Sequence, residues 1–274
     1  MKPKGIGLFL VYLALTLFAV VMVLPFYYMV VTSLKPLNEI TRIPISLGIK
    51  QPELTSFRVL IGESMFLRSV WNSLVIATAL TLGNMFLCPL AGYAFAKHRF
   101  AGRDLIFTSL LTTMMIPGSV LLVPGFLLFR DFGWLNSWLP LIIPGLVGVF
   151  GVFLSRQFIS GIPDDLVDAA RIDGCSEIRI YSTVILPLSK SLLATLAIFT
   201  FLGSWNSFIS PLIFLLDEDK FTLPLVISLL QGRFRGKENV QMAGAVLSIL
   251  PVLIVFFFFQ RQIVASLANT GLKE

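Results

Sequence analysis

Charge is scarce in this sequence. Only 13% of the 274 residues are charged, against 56% hydrophobic, whereas ordinary soluble domains carry about 25% charged residues. A globule of this size could not solvate its surface with so few ionic groups, so a soluble fold is excluded and the apolar excess must face lipid. Histidine occurs once and cysteine twice. His98 stands between Lys97 and Arg99 as a surface basic residue, and no carboxylate or Cys/His grouping has metal-ligand spacing; enzymatic chemistry and a metal site are not expected. Cys88 falls in an apolar run and Cys175 in a connecting segment, so no disulfide is expected and neither thiol reports on compartment. A Gly-x-x-x-x-Gly-Lys-Ser/Thr phosphate loop is also missing. Gly236-Lys237 is followed by Glu238 and lacks the upstream glycine. The chain itself should not bind ATP, and no cofactor of its own is expected.

What is present is long uncharged runs. They cover Gly5–Leu34, Ser69–Ala96, Leu105–Phe129, Phe132–Ser155, Ser191–Leu216 and Asn239–Gln260. Each matches or exceeds the roughly 20 residues a helix needs to cross the hydrocarbon. Helices alone satisfy their backbone hydrogen bonds within one segment, and the alternation expected of a membrane barrel is absent. The fold class is therefore all-α, a polytopic membrane protein with six transmembrane helices. The first run follows Met1-Lys2-Pro3-Lys4 but is far longer than a signal core, so a retained anchor is expected.

Charge counting does not fix the sidedness. The N-terminus, the Lys97–Asp104 loop, the Arg156–Lys190 loop and the C-terminus together hold about as many Lys and Arg as the opposite set. The compact Lys97-His98-Arg99 and Arg103 cluster favours the inside; the long Lys35–Arg68 segment argues the other way. The expected organisation is an N-terminal helix with an external segment over 1–68, a five-helix core over 69–266 and a tail over 267–274. Trp71, Trp134 and Trp138 fall near span ends, as in an interfacial belt. Pro117 and Pro124 in the third run, and Pro140 and Pro144 in the fourth, predict kinks. Phe221–Gly232 is apolar but too short to cross, so it reads as a re-entrant or interfacial piece.

The segment 161–187, between the fourth and fifth runs, is the most informative. Pro163 suits a first helical position, with Asp164 and Asp165 where the positive helix end favours anions. Gly174 can take a positive φ and end that helix. Ser176 caps a second helix, which Pro187 closes or kinks. Asp168 and Arg171 are spaced to pair on the helix flank. Leu166, Ala169, Ala170 and Ile172 offer apolar contact area. On these features alone, an amphipathic connector resting on the bilayer and a docking element are equally good readings.

A resemblance separates them. Asp168-Ala169-Ala170, Asp173-Gly174 and Leu186-Pro187 resemble the "EAA" loop of ABC importer permeases, with Asp168 in place of the usual Glu, Cys175 of a frequent Ala and Tyr181 of a frequent Phe. The likeness extends to Ala91–Ala96, Met114–Pro117, Trp205-Asn206, Pro211-Leu212, Ala243–Gln260 and the closing Gly271-Leu272-Lys273. The set is most similar to the six-span permease of carbohydrate-uptake systems.

The resemblance implies a type I ABC importer transmembrane fold in a prokaryotic inner membrane, with both termini cytoplasmic. It implies a second permease subunit, a dimeric ATP-binding cassette ATPase that holds the ATP, and an extracytoplasmic solute-binding protein; membrane lipid surrounds the chain and no nucleic acid is involved. Asp168, Ala169, Ala170, Asp173, Gly174, Leu186 and Pro187 would couple the ATPase to the pathway. Trp205, Asn206 and Ser207 either approach the solute pathway or, like Asn84, make interhelical hydrogen bonds. The expected cargo is a sugar or oligosaccharide, with glycerol phosphate or another small polar solute as the alternative. A secondary transporter or channel fits less well, because the spans lack the ionisable groups that ion-coupled carriers keep at membrane depth.

Overall fold

In the computed structural model, residues 6–42 and 46–270 are described, with side chains over 7–42 and 46–260. Among the described residues there is no strand. The helices in chain order are α1 (Ile6–Ser33), α2 (Leu37–Ile40), α3 (Thr55–Gly62), α4 (Ser64–Lys97), α5 (Arg103–Thr113), α6 (Leu122–Asp131), α7 (Leu139–Ile142), α8 (Val149–Ser160), α9 (Asp164–Ile172), α10 (Glu177–Ile180), α11 (Leu186–Leu188), α12 (Lys190–Trp205), α13 (Ile209–Phe214), α14 (Leu223–Arg233) and α15 (Glu238–Thr270).

Four stretches are long and apolar enough to cross a membrane, Gly7–Ser33, Ser64–Lys97, Leu139–Ser160 and Glu238–Gln260, and two bent helix pairs bring the number to six if each counts as one crossing. The expected third crossing, Leu105–Phe129, is one of these pairs: α5 and the stretch Gly118–Asp131 meet at 90°. Pro117 lies at this break with φ −59° and ψ 131°, because the residue has no N–H to give to a continuing ladder. Pro140 and Pro144 likewise fall in the first turns of short helical pieces ahead of α8. The expected fifth crossing, Ser191–Leu216, is also divided. α12 stops at Trp205, Asn206 is its C-cap, and α13 resumes at Ile209. A side-chain amide and a hydroxyl at Asn206-Ser207 offer the backbone local partners that compete with the helical ladder.

The chain forms two compact units. One comprises Met1–Leu67 and Val226–Leu250. Within it, α1 is exposed over Gly7–Phe26, with Phe9 at 66% and Val21 at 66%, as suits a helix bathed in hydrocarbon. Arg233 pairs with Glu63 at 2.9 Å, and Asn239 donates to the Lys35 carbonyl at 3.2 Å.

The second unit comprises Arg68–Leu225 and Pro251–Glu274. Its core gathers Tyr93, Phe95 and Cys88 of α4, Phe107 of α5, Val152 and Ile159 of α8, Val167 of α9, and Ile180, Tyr181 and Ile185. α4 and α8 approach backbone to backbone. A Cβ on Gly92 would lie 2.4 Å from Ser155 Cβ and 2.8 Å from the Arg156 amide nitrogen, and one on Gly151 would lie 2.7 Å from Cys88 Sγ. Small residues allow such contact where apolar lipid gives helices no solvophobic reason to associate. Asn84 donates to the Gly145 carbonyl at 3.3 Å, the interhelical hydrogen bond expected of an amide inside a crossing. Gly92→Ala should lower the melting temperature of the purified protein, at a cost of about 1–3 kcal/mol from overpacking. Gly232→Ala, where a Cβ meets nothing within 4 Å, should leave it unchanged or slightly raised.

At the end of the fourth and fifth crossings, Asn136 (φ 58°) receives the amides of Leu216 and Asp217 on Oδ1 and donates from Nδ2 to Asp217. Trp138 Nε1 donates to the Lys220 carbonyl at 3.2 Å, and Arg68 pairs with Asp219. Phe221–Gly232, expected as a short non-crossing piece, is largely the 11-residue α14. The expected tail, 267–274, falls on the last residues of α15 and on 271–274, which lie outside the described residues, as does the Gly271-Leu272-Lys273 resemblance.

Candidate functional site

The segment 161–187 folds as its residues dictate. Pro163 is the N-cap of α9, with φ −57° and ψ 135°, one place ahead of the expected first helical position. Its fixed φ suits a helix entrance. Asp164 and Asp165 follow in the first turn and Arg171 in the last, matching the helix dipole at both ends. Gly174 takes φ +76° and ends the helix, its amide bonding to the Arg171 carbonyl while the Cys175 amide bonds to that of Ala170. Ser176 is the extended N-cap of α10, without a side-chain cap bond.

After α10 comes a π-helical turn, Tyr181–Ile185, and then Leu186-Pro187-Leu188 as α11. The stretch Glu177–Leu188 meets α12 at 83°. The π-turn was not expected from the sequence, since nothing in Tyr-Ser-Thr-Val-Ile announces a wide ring. Tyr181 explains its position: the ring is buried and its hydroxyl donates to the Phe86 carbonyl of α4.

α9 has two unlike faces. Val167 is 2% exposed and joins the core, and Ala170 and Cys175 pack against it. Leu166, Asp168, Ala169, Ile172 and Asp173 are exposed, with Ile172 at 87%. Leu166, Ala169 and Ile172 thus form an exposed apolar strip flanked by the carboxylates of Asp165, Asp168 and Asp173.

A network that sequence spacing did not reveal holds this helix. Arg171 donates to Asp168 at 3.0 Å, the expected pair, and also to Glu177 Oε1 at 2.9 Å across the Gly174 turn. Glu177 Oε2 accepts from the Tyr93 hydroxyl at 2.7 Å and lies 3.3 Å from His98 Nε2. At the other end of α9, Lys97 Nζ donates to Asp164 Oδ1 and to the Ile162 carbonyl. The Arg171 hydrogen bond first, and Tyr93 after it, hold the Glu177 carboxyl below the usual carboxylate range; the Lys97 hydrogen bond does the same for Asp164. Tyr93 and Glu177 are 84 positions apart, so only a family of sequences or a structure could have paired them. His98, read from the sequence as a surface basic residue, and Lys97 are partners of this loop.

The residues of the expected pathway separate. Trp205 is 2% exposed and stacks on Phe201 at 5.7 Å, Asn206 is exposed, and Ser207 lines a cavity of about 160 Å³. Ser204, Ser210, Thr222, Pro140 and Leu80 line it too. Thr222 Oγ1 is buried without a hydrogen-bond partner, an arrangement costly to leave unmet. Sequence reasoning missed Ser204, Ser210 and Thr222, because serine and threonine are common in crossings and only the α12 break brings them together. Among the described residues no group of three or more His, Cys, Asp or Glu could hold a metal.

Residues 88–269 match the family described as binding-protein-dependent transport system inner membrane component. The chain is 36% identical over 269 residues to the arabinooligosaccharides transport system permease protein AraQ of Bacillus subtilis (strain 168), covering 95% of each chain. It is 32% identical over 260 residues to the lactose transport system permease protein LacG of Rhizobium radiobacter, covering 94% of each. In three dimensions it resembles a chain of a bacterial ABC transporter involved in the import of the acidic polysaccharide alginate, with a TM-score of 0.84, 24% identity, and coverage of 96% of this chain and 99% of that one. The fold is thus the helical one of ABC importer permeases, and the chain belongs to the family of inner membrane components of binding-protein-dependent transport systems.

Proposed function

We propose that this chain forms half of the translocation pathway of an ATP-driven importer for a sugar or oligosaccharide, and that α9 is where a separate ATPase grips it. The observation that carries the docking role is the exposed, acid-flanked apolar face of a helix that is otherwise pinned to the core: Leu166, Ala169 and Ile172 outward, Val167 inward. Such a face suits a cleft in a soluble partner better than a bilayer surface, where Asp165, Asp168 and Asp173 would meet anionic headgroups. The ATP belongs to that partner, since no phosphate loop occurs in this sequence.

Family membership supports the remaining assembly of this reading. A second permease completes the pathway, an extracytoplasmic solute-binding protein delivers the cargo, and both termini are cytoplasmic, on the side of α9. The names of the relatives, arabinooligosaccharide and lactose permeases, support a carbohydrate cargo. The cavity at the α12 break suits a polyol, because the hydroxyls of Ser204, Ser207, Ser210 and Thr222 that line it can each donate and accept; in this reading Ser207 meets the solute, with Asn206 next to it in the chain, while Trp205 is buried against Phe201.

Ile172→Asp tests the docking role. The side chain is 87% exposed, so the fold should not notice the change. Losing the burial of one isoleucine, about 1.5–3 kcal/mol, should weaken ATPase copurification more than tenfold and depress uptake equally. Unchanged copurification would overturn the docking role. Binding-protein-dependent uptake of labelled oligosaccharides into proteoliposomes tests the cargo, and uptake of glycerol phosphate alone would overturn the carbohydrate assignment.

A further inference from the structure

Resting on the reading of α9 as the docking helix, we propose that the last turn of α4 is a second attachment for it, with Lys97 and Glu177 as positioning residues. α9 would then drive the second crossing directly, and not only the fifth through the chain.

α9 has nine residues, about 13 Å at 1.5 Å per residue. It leaves through Gly174, at φ +76° with nothing within 4 Å of where a Cβ would be. With only that link, α9 could pivot at the glycine, and a push on it would be absorbed by the turn. Two ties prevent this. At the C-terminal end, Arg171 bonds to Glu177 across the turn, and the other oxygen of Glu177 is held by Tyr93 and His98. Tyr93 belongs to α4 and His98 directly follows its last residue, so the brace is anchored outside the two-helix arm. At the N-terminal end, Lys97 grips Asp164 and the Ile162 carbonyl. Its side chain is only 5% exposed, so removing the partner would leave an ammonium poorly hydrated and unmatched.

A helix held at both ends, with Val167 seated in the core between them, cannot rotate about either end without breaking a bond. The chain route to α12 is different in kind. It passes through the π-turn and an 83° bend, where the regular i to i−4 ladder is interrupted. Glu177 is the common point, one carboxylate receiving donors from α9 and α4 together. Charged hydrogen bonds of this sort are the stronger ones.

The test uses the assembled complex with its ATPase. Paired spin labels at Arg99→Cys, beside the α4 end, and Asp165→Cys, on α9, in a Cys175→Ala background, report the spacing of the two elements through dipolar broadening. The spectrum should be the same with and without ATP. In Glu177→Gln, which keeps the shape and removes the charge, the spacing should differ between the two states. Uptake per ATP hydrolysed should fall about tenfold while the ATPase still copurifies. Tyr93→Phe added to Glu177→Gln should cost little more, since both act through one carboxylate. A spacing that changes with ATP in the parent complex, or a Glu177→Gln variant with unchanged uptake per ATP, overturns the proposal. Failure of the ATPase to copurify with the unaltered chain overturns the docking role itself, a separate outcome.

Discussion

Gly174→Asp should reduce uptake to background while the protein still inserts in the membrane. The glycine has φ +76°, a conformation that costs an L-residue roughly 1–2 kcal/mol. A new Cβ would meet nothing within 4 Å, so the penalty is confined to the backbone. Against a stability of about 5–15 kcal/mol for a domain, that leaves the fold intact. The turn itself does not survive unchanged. Relieving the strain shifts the turn against the Arg171–Glu177 tie, and a carboxylate is added beside Asp173, on the face offered to the partner. ATPase copurification should weaken as uptake disappears. Gly236→Asp is the matched control: its φ is +80° and a Cβ there also meets nothing, so it carries the same strain without touching α9. It should transport normally. Normal transport by Gly174→Asp would discard the coupling role of 161–187, and loss of transport by both variants would assign the defect to general strain.

Collapsing the proton gradient with an ionophore should leave uptake running as long as ATP is maintained, and exhausting ATP should abolish it with the gradient intact. The reason lies in the crossings. From Ser69 to Ala96, from Leu105 to Phe129, from Phe132 to Ser155 and from Ser191 to Leu216 there is no Asp, Glu, Lys, Arg or His. A carrier coupled to protons or ions needs a group at membrane depth that binds the ion in one state and releases it in the other. Here the ionic residues collect instead at the ends of helices: Lys97 and His98 at the end of α4, Arg171 and Glu177 around the Gly174 turn, and Asp217 to Lys220 after α13. In the proposed importer, energy enters from outside the bilayer instead. Loss of uptake on gradient collapse at constant ATP would revive an ion-coupled mechanism.

The parts of this molecule legible in its sequence are those set by local rules. Long apolar runs gave the crossings because hydrocarbon tolerates only internally bonded backbone. Gly174 was readable because a left-handed turn selects glycine, and the Asp168–Arg171 pair because three residues is almost one turn. Pro163 was displaced by a single position, since proline serves as well just before a helix as at its first residue. Other features depend on distant partners. The 90° break at Met114–Pro117 has proline as a signal, but its angle is fixed by packing. The early stop of α12 at Trp205 put Ser204, Ser207, Ser210 and Thr222 round one cavity, although Thr222 belongs to a different segment. The Glu177 network is the clearest case: one carboxylate, two donors with His98 alongside, and 84 positions between the ends of its shortest bond. Nothing in the local pattern of Cys-Ser-Glu-Ile distinguishes that glutamate from a solvated one.

The contact between α4 and α8 at Gly92 also bears on how such chains diverge. With Ser155 and the Arg156 amide already inside the radius of any side chain, residue 92 has an alphabet of one letter at this helix spacing. A descendant that carries alanine there must have widened the gap along the whole pair, altering the seats of Cys88 and Gly151 at the same time. Drift at these positions is therefore compelled to be concerted, and a lone change at 92 marks a damaged copy rather than a new specificity.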